Sequence, residues 1–188
     1  MSSSAWPRMN PSQANASATD EALACHYSVS LFNFSNARNP MQSPAEAYFA
    51  ALNEIRATGG GVKETSYYPA LINLLNAVGE TLKPRVLAVS QLKNTGAGSP
   101  DAGLYAASQF TKGASDPLPG QLPERGAVEI KSVAEDGWLT ANSAQVSQYW
   151  EKYRLVLVTN YRDFLLVGED RSGQPTVLEA LRLADSAE

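Results

Sequence analysis

The chain has 188 residues, of which 44% are hydrophobic and 18% charged, a composition typical of one soluble globular domain. No apolar run approaches the roughly 18 residues that suggest a membrane-spanning helix. The single Cys and single His exclude an internal disulfide framework and His-rich metal sites, so any bound metal must have oxygen ligands, as Mg²⁺, Mn²⁺ and Ca²⁺ do. The net charge is −4, but residues 63–162 carry ten basic and nine acidic residues, a balance that allows a polyanionic partner without indicating one.

The first part of the chain predicts a flexible arm followed by two helices. Residues 1–43 are rich in Ser, Asn, Ala and Pro, show little periodicity and lack the pattern of a secretory signal. Ser43 and Pro44 then form a typical helix start, and three glycines at 59–61 end that helix. A second helix is predicted from about Ser66 to Val78, with Gly79 as its stop signal.

The rest of the chain predicts a sheet interrupted by one helix. Strands are expected at 85–92, 103–106 and 126–132, and residues 109–125, with three prolines, should form an excursion away from the sheet. A helix at 143–153 precedes strands at 155–159 and 163–168, and the stretch 176–183 completes the chain. The order α-α-β-β-β-α-β-β predicts a mixed α/β sheet flanked by helices, in one domain spanning 44–188.

The third predicted strand carries the most informative side chains. Glu129 and Lys131 are two residues apart and so share one face, whereas Val128 and Ile130 share the other. Asp101 follows a proline at the end of a glycine-rich loop, where its carboxylate can be aimed at a ligand. Two carboxylates beside a lysine are suited to a hard cation and an attacking water. For the Glu-Ile-Lys tripeptide alone, however, the favoured interpretation is a solvated strand face.

Three more polar residues accompany this group. Gln145 and Tyr149 are four apart and lie on one face of the predicted helix. Glu64 precedes the second helix, near the positive end of its dipole. Each also has a structural interpretation, the first two as a polar rim and Glu64 as a capping charge.

In chain order, these residues resemble the PD-(D/E)xK nuclease superfamily, in particular its RecB-like and Mrr-like branches. The resemblance covers about 63–167 and depends on Glu64, Pro100-Asp101, Glu129-Ile130-Lys131 and Gln145-x-x-x-Tyr149. The runs 64–76, 119–123 and 157–164 also resemble the N-terminal nuclease module of fused bacterial restriction-modification enzymes known as N6-adenine DNA methylases. The methylase motifs themselves are absent from this sequence.

The resemblance implies a restriction-endonuclease-like fold and a Mg²⁺- or Mn²⁺-dependent DNA endonuclease, the cleavage module of a restriction-modification system in the bacterial cytoplasm. It implies that Asp101, Glu129 and the carbonyl of Ile130 bind the metal, and that Lys131 orients the water or stabilises the phosphate. Glu64 would complete the acidic cluster, and Gln145 with Tyr149 would steady the site or contact DNA. The resemblance requires residues 109–125 to be an insertion, because 27 residues separate Asp101 from Glu129.

Two lysines in loops, Lys93 and Lys112, are further candidates for contacts with DNA phosphates. Since the central region is nearly neutral, another domain or partner is expected to supply DNA affinity. The resemblance implies that this partner is a methyltransferase or target-recognition domain or subunit. Two alternatives stay open at this point: a catalytically silent DNA-binding or assembly module of a methyltransferase with the same fold, and an ordinary α/β interaction domain with coincidental acids.

Overall fold

The computed structural model describes residues 42–58, 64–92 and 96–184, and all of them belong to one compact unit that begins at Gln42. The predicted arm at 1–43 therefore lies almost entirely outside the described residues. Within those residues, no helix is long and apolar enough to cross a bilayer. The helices are α1 (Pro44–Ala57), α2 (Tyr68–Thr81), α3 (Gly137–Ala141) and α4 (Ala144–Tyr153), and a 3₁₀ turn at Glu64–Tyr67 precedes α2.

In the described part of the chain, six strands form one open sheet in sequence order, and every neighbouring pair is antiparallel except β3 and β4. Because β3 and β4 are parallel, the chain must cross over between them, and α3 and α4 make that crossover. The predicted restriction-endonuclease-like α/β fold is confirmed. The structure adds two elements to the predicted order, the short helix α3 and the edge strand β6. The strands are β1 (Val86–Ser90), β2 (Ala102–Ala106), β3 (Gly126–Ile130), β4 (Val156–Thr159), β5 (Asp163–Glu169) and β6 (Pro175–Arg182).

The sheet separates two apolar clusters, and β3 contributes to both. Val128 and Ile130 pack with α1 and α2, whereas Ala127 packs with α4 on the opposite face. The alternation predicted for this strand is therefore correct, and it directs the side chain of Glu129 to the α4 face. All five residues of β3 are buried, so Glu129 lies in the interior and not on a solvated strand face.

The helix starts and stops agree with the sequence only in part. Ser43 and Glu46 form the predicted start of α1 as a reciprocal capping box. In α2, by contrast, the prediction that Gly79 ends the helix was wrong, because the helix continues to Thr81. A Cβ atom added at Gly79 would lie 2.2 Å from the carbonyl oxygen of Val86. Glycine is therefore needed there for the close approach of α2 to β1.

The predicted insertion between β2 and β3 is held to the sheet by one buried side chain, Gln109. Its Oε1 accepts hydrogen bonds from the backbone N–H groups of Ala106 at 3.0 Å and Glu124 at 3.1 Å. Its Nε2 donates to Oε1 of Gln121 at 2.9 Å and to the carbonyl of Leu122 at 2.7 Å. Gln109 thus joins both ends of the excursion, so that β3 can return beside β2 after the intervening residues.

A second polar cluster joins β4, β5 and β6 at the sheet end where β3 finishes. Asp163 accepts hydrogen bonds from Nε and Nη2 of Arg182 on β6, and from the side chain of Asn160 at 3.3 Å. Arg162 adds a second positive charge, with its Nη2 3.6 Å from Oδ2 of Asp163. Burial alone would raise the pKa of the Asp163 carboxyl, but these hydrogen bonds and charges outweigh it and hold that pKa below its ordinary value.

This cluster predicts an acid-dependent contribution to stability. Because the pKa of Asp163 is lower in the folded protein, its stabilising effect is present above about pH 4 and is lost as the pH falls through the folded value. We expect Asp163→Asn to lower the free energy of unfolding by about 1–2 kcal/mol at pH 7, a deficit that shrinks below pH 4. Urea unfolding from pH 7 to pH 3 measures it, with exposed Asp116→Asn as the control. A deficit that does not change with pH would contradict this assignment.

Candidate active site

The site forms where β2 begins and β3 ends. Because these strands are antiparallel with Ala102 opposite Val128, continuing the register brings Asp101 beside Glu129. The 27 residues between them are accommodated by the excursion that Gln109 holds in place. The structure therefore brings together the two carboxylates that the sequence placed far apart.

The carboxylate of Asp101 is held by a hydrogen bond to each of its oxygens. Its Oδ1 accepts from the hydroxyl of Tyr68 at 2.7 Å, and its Oδ2 accepts from the backbone N–H of Ile130 at 2.8 Å. The carbonyl of Asp101 also accepts a hydrogen bond from the N–H of Gln91 at 2.6 Å. Each carboxylate oxygen can accept two partners, so both retain capacity for a further ligand.

The backbone of Ile130 faces the same space. In a strand, the N–H and C=O of one residue point to the same edge, and successive residues alternate between edges. The N–H of Lys131 points to β4, where it donates to the carbonyl of Thr159 at 2.8 Å. The N–H of Ile130 points the other way, to Asp101. Its carbonyl therefore lies on the edge that Asp101 occupies.

Glu129 and Lys131 form an ion pair at the end of β3. Nζ of Lys131 lies 2.8 Å from Oε1 of Glu129, whose side chain is only 2% exposed, while that of Lys131 is 29% exposed. Burial raises the pKa of Glu129, and the nearby charge of Asp101 raises it further, against the lowering effect of Lys131. The hydrogen bond with Glu129 raises the pKa of Lys131, which stays an ammonium group at neutral pH.

On α4, Gln145 and Tyr149 interact as their spacing predicts. Nε2 of Gln145 donates to the hydroxyl of Tyr149 at 2.9 Å. Burial raises the pKa of Tyr149, the hydrogen bond from Gln145 lowers it, and the charges of Glu129 and Asp101 raise it. Tyr149 also packs in the same cluster as Ala127, which lies on the face of β3 that carries Glu129. The loop that leads to Asp101 packs on this ring: a Cβ atom at Gly98, where φ is +93°, would lie 3.1 Å from Cε1 of Tyr149.

For three predicted residues, the structure describes no side-chain contact with this group. Glu64 begins the 3₁₀ turn before α2, but only its backbone is described, and Lys93 lies outside the described residues. Lys112 is exposed in the excursion, which leaves the sheet after the last residue of β2, whereas Asp101 precedes the first residue of that strand. Its contact with DNA stays a prediction.

Sequence reasoning missed Tyr68. Nothing in the spacing connects Tyr68 with Asp101, 33 positions away. The Tyr-Pro pair at the start of a helix is a weak signal, since proline at the first helical positions is common. The hydrogen bond depends on the tertiary packing of α2 beside the loop that ends at Asp101.

The donor set fits a hard divalent cation. In the described residues, no three Asp, Glu, His or Cys side chains converge, so the described site offers the carboxylates of Asp101 and Glu129 with the carbonyl of Ile130. These are all oxygen donors, which suit Mg²⁺ or Mn²⁺ completed by water. A nearby divalent charge would also favour the ionised form of Glu129, which burial disfavours.

Comparison with known proteins supports the fold. No protein-family model and no curated protein match the sequence. Among solved structures, the chain is similar to one in the cryo-EM structure of a DrdV–DNA complex, with a TM-score of 0.54 and 16% sequence identity. The similarity covers 76% of this chain and 87% of that chain. At this level of identity, it shows a common fold.

Proposed function

We propose that this protein is a metal-dependent DNA endonuclease domain that hydrolyses phosphodiester bonds, the cleavage module of a bacterial restriction-modification system. The observation that carries the proposal is the convergence of Asp101, Glu129 and Lys131 where β2 begins and β3 ends. The similarity to a chain from a DNA complex favours DNA as the substrate. The proposed place of action is the bacterial cytoplasm.

In this proposal, Asp101, Glu129 and the carbonyl of Ile130 hold Mg²⁺ or Mn²⁺, with Glu64 as a further acidic residue of the site. When bound, the metal would supply a Lewis acid and a lowered pKa for an attacking water. The protein contributes a fixed set of oxygen donors, because hydrogen bonds hold both oxygens of Asp101. Such preorganisation removes a reorganisation cost from the reaction.

Lys131 is proposed to stabilise the charge that develops on the phosphate oxygens. Its ammonium group is ionised, partly exposed and 2.8 Å from Glu129, so it stands at the boundary between the buried carboxylate and solvent. A positive charge fixed in this position requires no movement as negative charge accumulates. Gln145 and Tyr149 are hydrogen-bonded to each other on α4, which packs on the face of β3 that carries Glu129, and they would orient the water or contact the DNA backbone.

The near-neutral charge of residues 63–162 supplies little attraction for a duplex. We therefore propose that a methyltransferase or target-recognition domain or subunit provides most of the DNA affinity. Lys93 and Lys112 are proposed as additional phosphate contacts. In this scheme the domain contributes chemistry, and its partner selects the sequence.

Plasmid cleavage with Mg²⁺ or Mn²⁺ tests the proposal. Asp101→Asn keeps the size of the side chain and removes its charge, so we expect cleavage to fall about 10²- to 10³-fold, equivalent to several kcal/mol of lost charge stabilisation. Asp116→Asn, at an exposed carboxylate of the excursion, is the matched control and should cleave like the wild type. Equal, metal-independent cleavage by wild type and Asp101→Asn would contradict the proposed chemistry. DNA binding without metal-dependent heat in calorimetry would favour the silent DNA-binding module instead.

A further inference from the structure

We propose that Tyr68 is a positioning residue, whose phenolic O–H holds the carboxylate of Asp101 in the orientation required for metal binding. The inference rests on the proposed function to the extent that Asp101 is a metal ligand. It adds to the site a residue from α2, an element that none of the described ligands occupies. Tyr68 acts through Asp101 and is assigned no contact with substrate.

The geometry of the contact is that of a clamp. Tyr68 donates to Oδ1 of Asp101 at 2.7 Å, and the N–H of Ile130 donates to Oδ2 at 2.8 Å. One hydrogen bond leaves a carboxylate free to rotate about its side-chain torsions, whereas two donors on different oxygens fix both its position and its plane. Hydrogen bonds to an ionised acceptor are also stronger than those between neutral groups.

Asp101 needs such support because it is carried by a loop end, while Glu129 is part of a central strand. The residues before Asp101 include glycines with positive φ at 96 and 98, and β2 begins only at Ala102. Without the phenol, the described hydrogen bonds to the Asp101 carboxylate would be reduced to the one from Ile130. Asp101 would then be held less firmly than Glu129.

Tyr68 belongs to a helix that is well packed against the sheet. It begins α2, whose residues Ala70, Leu71 and Leu74 are buried in the same cluster as Val128 and Ile130 of β3. The preceding residue, Tyr67, packs its ring against that of Tyr161, with centroids 5.5 Å apart. The phenol is therefore presented from an element that is packed directly against the metal-binding strand, as an orienting residue must be.

Tyr68→Phe removes only the hydroxyl and gives three readouts. Partners that orient metal ligands typically contribute 10- to 100-fold to affinity, so we expect Mn²⁺ to bind about 10-fold more weakly in calorimetry without DNA. At saturating Mn²⁺, cleavage should recover toward the wild-type rate, because the ligands themselves are intact. In the metal-free protein, amide hydrogen exchange at Ile130 should become faster, since its acceptor, Asp101, is released.

Two controls separate positioning from general loss of structure. The N–H of Lys131, bonded to Thr159, should keep its exchange rate in Tyr68→Phe, and Tyr67→Phe should leave both Mn²⁺ affinity and Ile130 exchange unchanged. Unchanged Mn²⁺ affinity in Tyr68→Phe would overturn the inference, as would faster exchange at Ile130 and Lys131 alike. A wild-type protein that binds no Mn²⁺ would instead refute the proposed function, while the Ile130 amide would still report whether Tyr68 holds Asp101.

Discussion

Replacing Glu129 with glutamine is expected to make the metal-free domain more stable and, at the same time, to remove its DNA cleavage. The carboxylate is 2% exposed, and its burial already raises its pKa, so the ionised form carries a cost in the folded state. Its partner Lys131 is 29% exposed and can be hydrated when the carboxylate is removed. We expect a gain of about 1–2 kcal/mol in the free energy of unfolding at pH 7, measured in urea with EDTA.

Divalent metal should reverse the order of stability. An ion that binds only the folded protein raises the free energy of unfolding, and this gain increases with the logarithm of the ion concentration over Kd. We therefore expect about 10 mM Mg²⁺ to stabilise the wild type and to leave the stability of Glu129→Gln unchanged. Cleavage by the variant should fall about 10²- to 10³-fold. Glu151→Gln, at an exposed position of α4, makes the same chemical change and should alter neither property. If the metal-free Glu129→Gln domain were less stable than the wild type, the idea that the buried carboxylate of Glu129 destabilises the metal-free fold would be refuted.

The sequence was sufficient to predict the strand that carries Glu129 and Lys131, for a local reason. The period of two residues, with Val128 and Ile130 on the alternate face, is a property of any strand, and the structure places both valine and isoleucine in the cluster with α2. The interaction between Gln145 and Tyr149 was predictable in the same way, because residues four apart are neighbours on a helix. Both features depend on regular geometry over a few residues.

Features that depend on tertiary contacts were not predictable from local pattern. Glycine is a residue type typical of helix ends, but Gly79 lies inside α2, where the close approach of the Val86 backbone requires the absence of a side chain. The segment 176–183 mixes helix-forming Leu, Glu and Ala with β-branched residues, and its pairing with β5 makes it a strand. Tyr68 and Asp101 meet because α2 packs on the sheet beside the loop before β2. In each case the deciding partner lies on another element.

Replacing Lys131 with methionine should have the opposite effect on stability from replacing Glu129. Methionine retains much of the apolar stem but removes the ammonium, which leaves a nearly buried carboxylate without its ion-pair partner. Losing one member of a buried pair is costly because the remaining charge is uncompensated, and we expect about 1–3 kcal/mol of destabilisation without metal, less than for a fully buried partner. Cleavage should fall about 100-fold or more through the loss of a fixed positive charge.

The double variant Glu129→Gln/Lys131→Met separates the two roles of this pair. Because the uncompensated carboxylate is absent, the double variant should recover most of the stability lost in Lys131→Met, while its cleavage stays as low as that of the single variants. Arg171→Met, in the turn between β5 and β6 at the opposite end of the sheet, is the control for removing a cation. If the double variant were as unstable as Lys131→Met, the lysine would stabilise the fold through its stem, and the charge of Glu129 would not determine the stability of this site.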